Sequence, residues 1–185
     1  MATTNLIVDF LVVGASALWW IAPILLATSG TAWLRLLLAA DLGALPLLLG
    51  AIYLAGLVVS RIADDLLKPW NDSWRDDVFH STPDYTYHNR VNAIIATSES
   101  ASEYLGYRRS VLRTARACAL NTALASLAWL ASVWAAPIAL SLSLCFVVGS
   151  ALATCALLRT WKVVVRGYFM TVRDMSDGIA KKASK

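Results

Sequence analysis

Charge is scarce in this sequence, and what there is clusters. Only 15% of the 185 residues are Asp, Glu, Lys or Arg, against 58% hydrophobic. A soluble domain of this size needs polar residues along every element to cover its surface. Four segments have almost none: Leu6 to Thr28, Leu36 to Ser60, Ala117 to Ala136 and Ile138 to Leu158. Cysteine is scarce too. The three present, Cys118, Cys145 and Cys155, all lie in or beside apolar runs, where a thiol behaves as a small hydrophobe. Their odd number and spacing exclude a disulfide framework or a zinc site. A glycine-rich phosphate loop, a nucleophile elbow and paired catalytic carboxylates are all missing, so neither an enzyme nor a cofactor is expected. His80, Asp84 and His88 come near a metal-ligand spacing, but Pro83 keeps a regular helix from aligning them.

Each apolar segment runs to about 20 residues or more, enough to span roughly 30 Å of hydrocarbon at 1.5 Å per residue. The first lacks the basic leader of a signal peptide, and its apolar run is too long for one, so it reads as a retained anchor. The expected fold is therefore all-α. It is a polytopic membrane protein with four transmembrane helices and helical extensions outside the membrane. Of the 16 Lys and Arg residues, eight fall between Arg61 and Arg116 and seven between Arg159 and Lys185, leaving only Arg35. Short cytoplasmic loops retain Lys and Arg, so this distribution predicts cytoplasmic termini and a cytoplasmic centre. The chain then divides into a first hairpin (1–60), a central cytoplasmic segment (61–116), a second hairpin (117–158) and a basic C-terminal helix and tail (159–185). The tryptophans follow the same plan. Trp19, Trp20, Trp33, Trp129 and Trp134 fall toward the outer interface, and Trp70, Trp74 and Trp161 toward the inner one.

Inside the spans, Asp41 and Asn121 are the candidate functional polar groups. A carboxylate in hydrocarbon normally faces protein or water, and an amide needs partners outside its own helix. Ser141, Cys145, Gly149 and Ala153 recur at four-residue intervals, giving a smooth face on which backbones can approach closely. That face suits packing within one subunit or between subunits. Beyond the second span, Arg61/Asp65 and Asp64/Lys68 are spaced to pair on a helical turn. Pro69 should end that helix, and Trp70 to Asn89 should be irregular. Helix should return near Asn89 and run on into the third span. The fourth span should continue as a basic helix to about Arg173, followed by a frayed tail.

Arg108, Arg109, Arg113 and Arg116 are the clearest cluster. On a helix Arg109, Arg113 and Arg116 form one stripe just below the membrane. Such a stripe binds anionic lipid headgroups or a phosphate-rich ligand such as a nucleotide or oligonucleotide, with Tyr104 and Tyr107 placed to stack on bases. Arg75 and His80 have the Arg-x-x-x-x-His spacing of HEPN ribonucleases, in a stretch with poor helix signals. Four helices enclose too little space for a route through one subunit, so the leading expectation is a homo-oligomeric channel or pore. In size and architecture the chain resembles the small membrane effectors of bacterial anti-phage defence operons. That resemblance implies an inner-membrane location and a ligand-gated pore. The alternative is a non-conducting anchor or sensor that recruits a cytoplasmic protein partner through Trp70, Trp74, Phe79, Tyr85 and Tyr87.

Overall fold

A computed structural model describes residues 2–32, 42–79, 84–135 and 140–183, and all regular structure among them is helical. Helix α1 spans Ala2–Ser29 and a short 3-10 turn Leu42–Ala44. Next come α2 (Leu45–Phe79), α3 (Asp84–Thr97), α4 (Glu99–Ala135) and α5 (Leu140–Ala183). Two of the helix ends have local causes. Gly30, at φ 59°, closes α1 by returning its N–H to the Leu26 carbonyl, a left-handed cap that glycine adopts without strain. Ser98 caps α4, its hydroxyl accepting the Ala101 N–H at 3.4 Å. The helix expected to run from Asn89 into the third span is therefore interrupted at Ser98.

Among the described residues three helices, not four, are long and apolar enough to cross a membrane: they contain Leu6–Ser29, Leu45–Phe79 and Ser141–Lys181. The expected third span lies in α4. Its described stretch is bounded by Arg116 and carries Asn121, Thr122, Ser126 and Ser132 among alanines, which lowers its hydropathy. The packing explains why such a sequence is tolerated. Helix α4 lies between α1 and α5 and touches both, so its polar groups face protein.

It runs parallel to α1, from Asp9–Ser110 at one end to Trp20–Asn121 further along. Against α5 it is antiparallel, from Arg109–Tyr168 to Thr122–Thr154 and Trp129–Phe146. Helices α1 and α2 approach closely enough that a Cβ on Gly14 would overlap the Ile52 carbonyl, and one on Gly56 the Phe10 carbonyl.

The helices share two cores. The first is small and apolar, built from Val13 and Ala17 of α1, Val59 and Ala63 of α2, and Ala117 of α4. The second, at the basic end, is aromatic: Phe79, Leu105, Trp161, Tyr168 and Phe169, with Val78, Val91 and Ile94. This second core overrides Pro69. The helix does not stop there but continues to Phe79, although a proline inside a helix costs about 3 kcal/mol. Burial of Val78 and Phe79, with Leu67 and Trp74 packed alongside, offsets that cost at about 1.5–3 kcal/mol per fully buried large side chain. The stretch expected to be irregular is thus helical on either side of residues 80–83, which lie outside the described residues. The C-terminal tail is likewise helical to Ala183, because Val172, Met175 and Ile179 dock on the aromatic core. Helices α2, α4 and α5 are each continuous across positions 60, 116 and 158 respectively.

Candidate functional site

The arginine row lies where the two cores meet, and it is shared out among neighbouring helices. Arg109 donates from Nε to the Tyr168 hydroxyl on α5 at 2.8 Å. Tyr168 is also 3.5 Å from the Tyr87 hydroxyl of α3, so one guanidinium ties three helices together. Burial and the neighbouring Tyr168 phenol push the Tyr87 hydroxyl well above its usual pKa of 10.0, and it stays neutral. Burial alone would weaken Arg109 as a base, but its bond to Tyr168 reverses the direction, and it stays charged. Arg116, with 15% of its side chain exposed, forms an ion pair with Asp64 of α2. Asp64 therefore turns away from the helical partner expected for it, Lys68. Arg108 stands over the Tyr104 ring at 5.9 Å and against Gly167 of α5. Next to Arg109 in the chain, Ser110 donates a hydrogen bond to Asp9 of α1. Two members of the expected stripe of three are therefore interhelical ties, Arg109 directed to α5 and Arg116 to α2.

Asn121 is completely buried. Its amide nitrogen donates to the Val13 carbonyl at 2.9 Å and to Ser16 Oγ at 2.7 Å. Its oxygen accepts the Trp20 indole N–H at 3.0 Å. Both amide protons and the carbonyl are used on α1, which makes this residue a polar link between α1 and α4. Thr122 and Thr154 return hydrogen bonds to their own helices and meet each other at 3.0 Å. Asp41, the other intramembrane candidate, lies outside the described residues, as do Arg35 and His80. Arg75 lies on α2, beside Asp72 and Asp76 and 6.0 Å from the Tyr87 ring. Among the described residues no group of three His, Cys, Asp or Glu side chains is gathered to hold a metal.

The partners were harder to see in the sequence than the arginines and Asn121. Tyr168 and Trp20 sat in runs that read as a basic helix and an interfacial belt. Two acids in or next to apolar spans, Asp9 and Asp64, were the available signal, since each needs a partner. Trp161, expected at the interface, is instead 1% exposed inside the aromatic core. Trp70 is the exposed member of its group, at 51%. The smooth face of α5 points away from the chain: Ser141, Cys145 and Gly149 are exposed, and a Cβ on Gly149 would meet nothing within 4 Å. Packing within one subunit therefore does not account for it. Between α1 and α4 lies a cavity of about 420 Å³ lined by Trp20, Pro23, Ile24, Leu124, Leu127 and Ala131 among others. The chain matches no family model, and no curated protein or solved structure matches it.

Proposed function

We propose that this chain is one subunit of a homo-oligomeric membrane channel or pore, with four crossing helices and both termini in the cytoplasm of a bacterium. The observation that carries the reading is the outward-facing smooth side of α5, with Ser141, Cys145 and Gly149 open. At most 22% of any of the three apolar stretches is buried within the chain, which leaves room for other copies. A conducting path would run between copies, because Asn121, Thr122 and Thr154 are satisfied within one. Packing supports the fourth crossing. Helix α4 lies along α1 and α5, so a membrane that takes those two takes α4 as well, and its polar residues face helices instead of lipid. Gating by a phosphate-rich ligand, in the manner of defence effectors, would act through α2 and α4, which contribute to both cores without a linker.

The test is the mass of the detergent-solubilised protein together with currents in planar bilayers. A multimer giving unitary currents is expected; a monomer that carries none would overturn the proposal. A second reading, an anchor that recruits a cytoplasmic protein, draws support from the exposed Tyr104 (44%) and Tyr107 (59%) beyond the apolar region. It gives no current and is separated by the same measurement.

A further inference from the structure

At the edge of the apolar region α2 and α5 meet through tryptophan. Trp161 of α5 contacts Trp74 at 4.7 Å and Trp70 at 6.5 Å between ring centroids. Trp161 is sealed inside, but Trp70 is half-exposed, and Leu66, one turn before it on α2, is 61% exposed. The Lys162 ammonium lies over the Trp74 ring at 6.0 Å. Arg159, Lys162 and Arg166 follow at i, i+3 and i+7 of α5, on one face. Arg166 is closed by Asp77 at 2.8 Å. Arg159 and Lys162 are both exposed, and neither has a carboxylate partner among the described residues.

The depth of this corner follows from helix geometry. The 20 residues from Ser141 to Trp161 rise about 30 Å, the thickness of the hydrocarbon layer. Two cations thus stand at the depth of lipid phosphates, with exposed apolar side chains next to them at the depth where acyl chains begin. A free nucleotide would leave Trp70 and Leu66 in water. An anionic phospholipid covers them with its chain while its headgroup meets the charges.

We infer that this α2–α5 corner binds an anionic phospholipid, with Arg159 and Lys162 on the headgroup and Trp70 and Leu66 on the acyl chain. The arginine row is a weaker candidate for that role, since Arg109 and Arg116 are spent on Tyr168 and Asp64. The inference rests on α2 and α5 crossing the bilayer and is independent of conduction, so a non-conducting monomer leaves it standing.

The experiment reads Trp70 emission, as the difference between wild type and Trp70→Phe, in phosphatidylcholine vesicles. Brominated phosphatidylglycerol or brominated phosphatidylcholine is included as quencher at equal mole fraction. Roughly fivefold preferential quenching by the anionic lipid is expected. It should fall to about parity in Arg159→Gln/Lys162→Gln and persist in Arg108→Gln. All these positions are surface-exposed or part-exposed, and circular dichroism checks that the variants keep their helix content. Equal quenching by both lipids would overturn the proposal, as would a preference that survives the double substitution. Loss of the preference to inorganic phosphate, but not to sulfate at matched ionic strength, would replace the lipid with a soluble phosphate ligand. Absence of quenching by either lipid would place Trp70 outside the bilayer and overturn the proposal, whether or not α2 crosses.

Discussion

Asn121 reaches three groups on α1 at once, and that number governs what its removal does. Asn121→Ala leaves the Trp20 N–H without its acceptor in a region with little water, while the Ser16 hydroxyl keeps its bond to the Val13 carbonyl. Interhelical hydrogen bonds in membranes average about 0.6 kcal/mol each, so a loss of about 1–2 kcal/mol is expected, read as a lower melting temperature in detergent. Any current, in contrast, should keep its ion selectivity. A selectivity change without loss of stability would place Asn121 on the conducting path. Tyr87 gives a pH prediction at the same scale. Its raised pKa means that the folded state holds the phenol's proton beyond the point where an unfolded chain releases it. The stabilisation is therefore complete below about pH 10, the ordinary tyrosine value, and declines as pH rises above it. Tyr87→Phe should flatten the alkaline fall in melting temperature above pH 10. A fall as steep as wild type would assign it to other groups.

Among the elements, two glycines make opposite predictions from one substitution. Gly56 lies against the Phe10 carbonyl, so Gly56→Leu must push α2 off α1; Gly149 has open space, so Gly149→Leu costs the isolated subunit little. Overpacking costs typically 1–3 kcal/mol, and the first variant should lose at least that in thermal stability. The second should melt like wild type yet assemble poorly, because helix backbones could no longer approach across subunits. A Gly149→Leu protein with unchanged mass would remove the smooth face from the interface. Helix identity was largely legible in the sequence: apolar length marked α1, α2 and α5, whereas the small-residue spacing marked a face of α5 without saying whether it packs within or between subunits. Helix ends were not. Pro69 is locally a stop signal, and only the distant aromatic core, assembled from α2, α3, α4 and α5, makes continuation favourable. The arginine row was equally visible as a pattern but not as a set of ties, because a stripe on one helix does not say which neighbours bring Tyr168 and Asp64.

For the whole molecule, the number of crossings decides on which side the basic end lies relative to the C-terminus. If α4 stays on one side, three crossings put Gly178 across the membrane from Ser100. If α4 crosses with its neighbours, the two are on the same side. Packing favours the second case, since α4 follows α1 from Asp9 to Trp20 and meets α5 along the length that contains Thr154 and Phe146. The charge distribution favours it independently: 15 of the 16 Lys and Arg residues lie in the two segments that four crossings put together. Single cysteines at Thr31, Ser100 and Gly178, in a chain with Cys118, Cys145 and Cys155 replaced by serine, separate the cases. An impermeant maleimide applied to intact cells should label the Thr31→Cys protein alone. Ser100→Cys and Gly178→Cys should react only after lysis. Labelling of Gly178→Cys from outside, with Ser100→Cys protected, would mean three crossings. The polar face of α4 would then meet the membrane from one side, and the row of ties from Asp9 to Arg116 would be an anchor's seam and not the wall of a channel subunit.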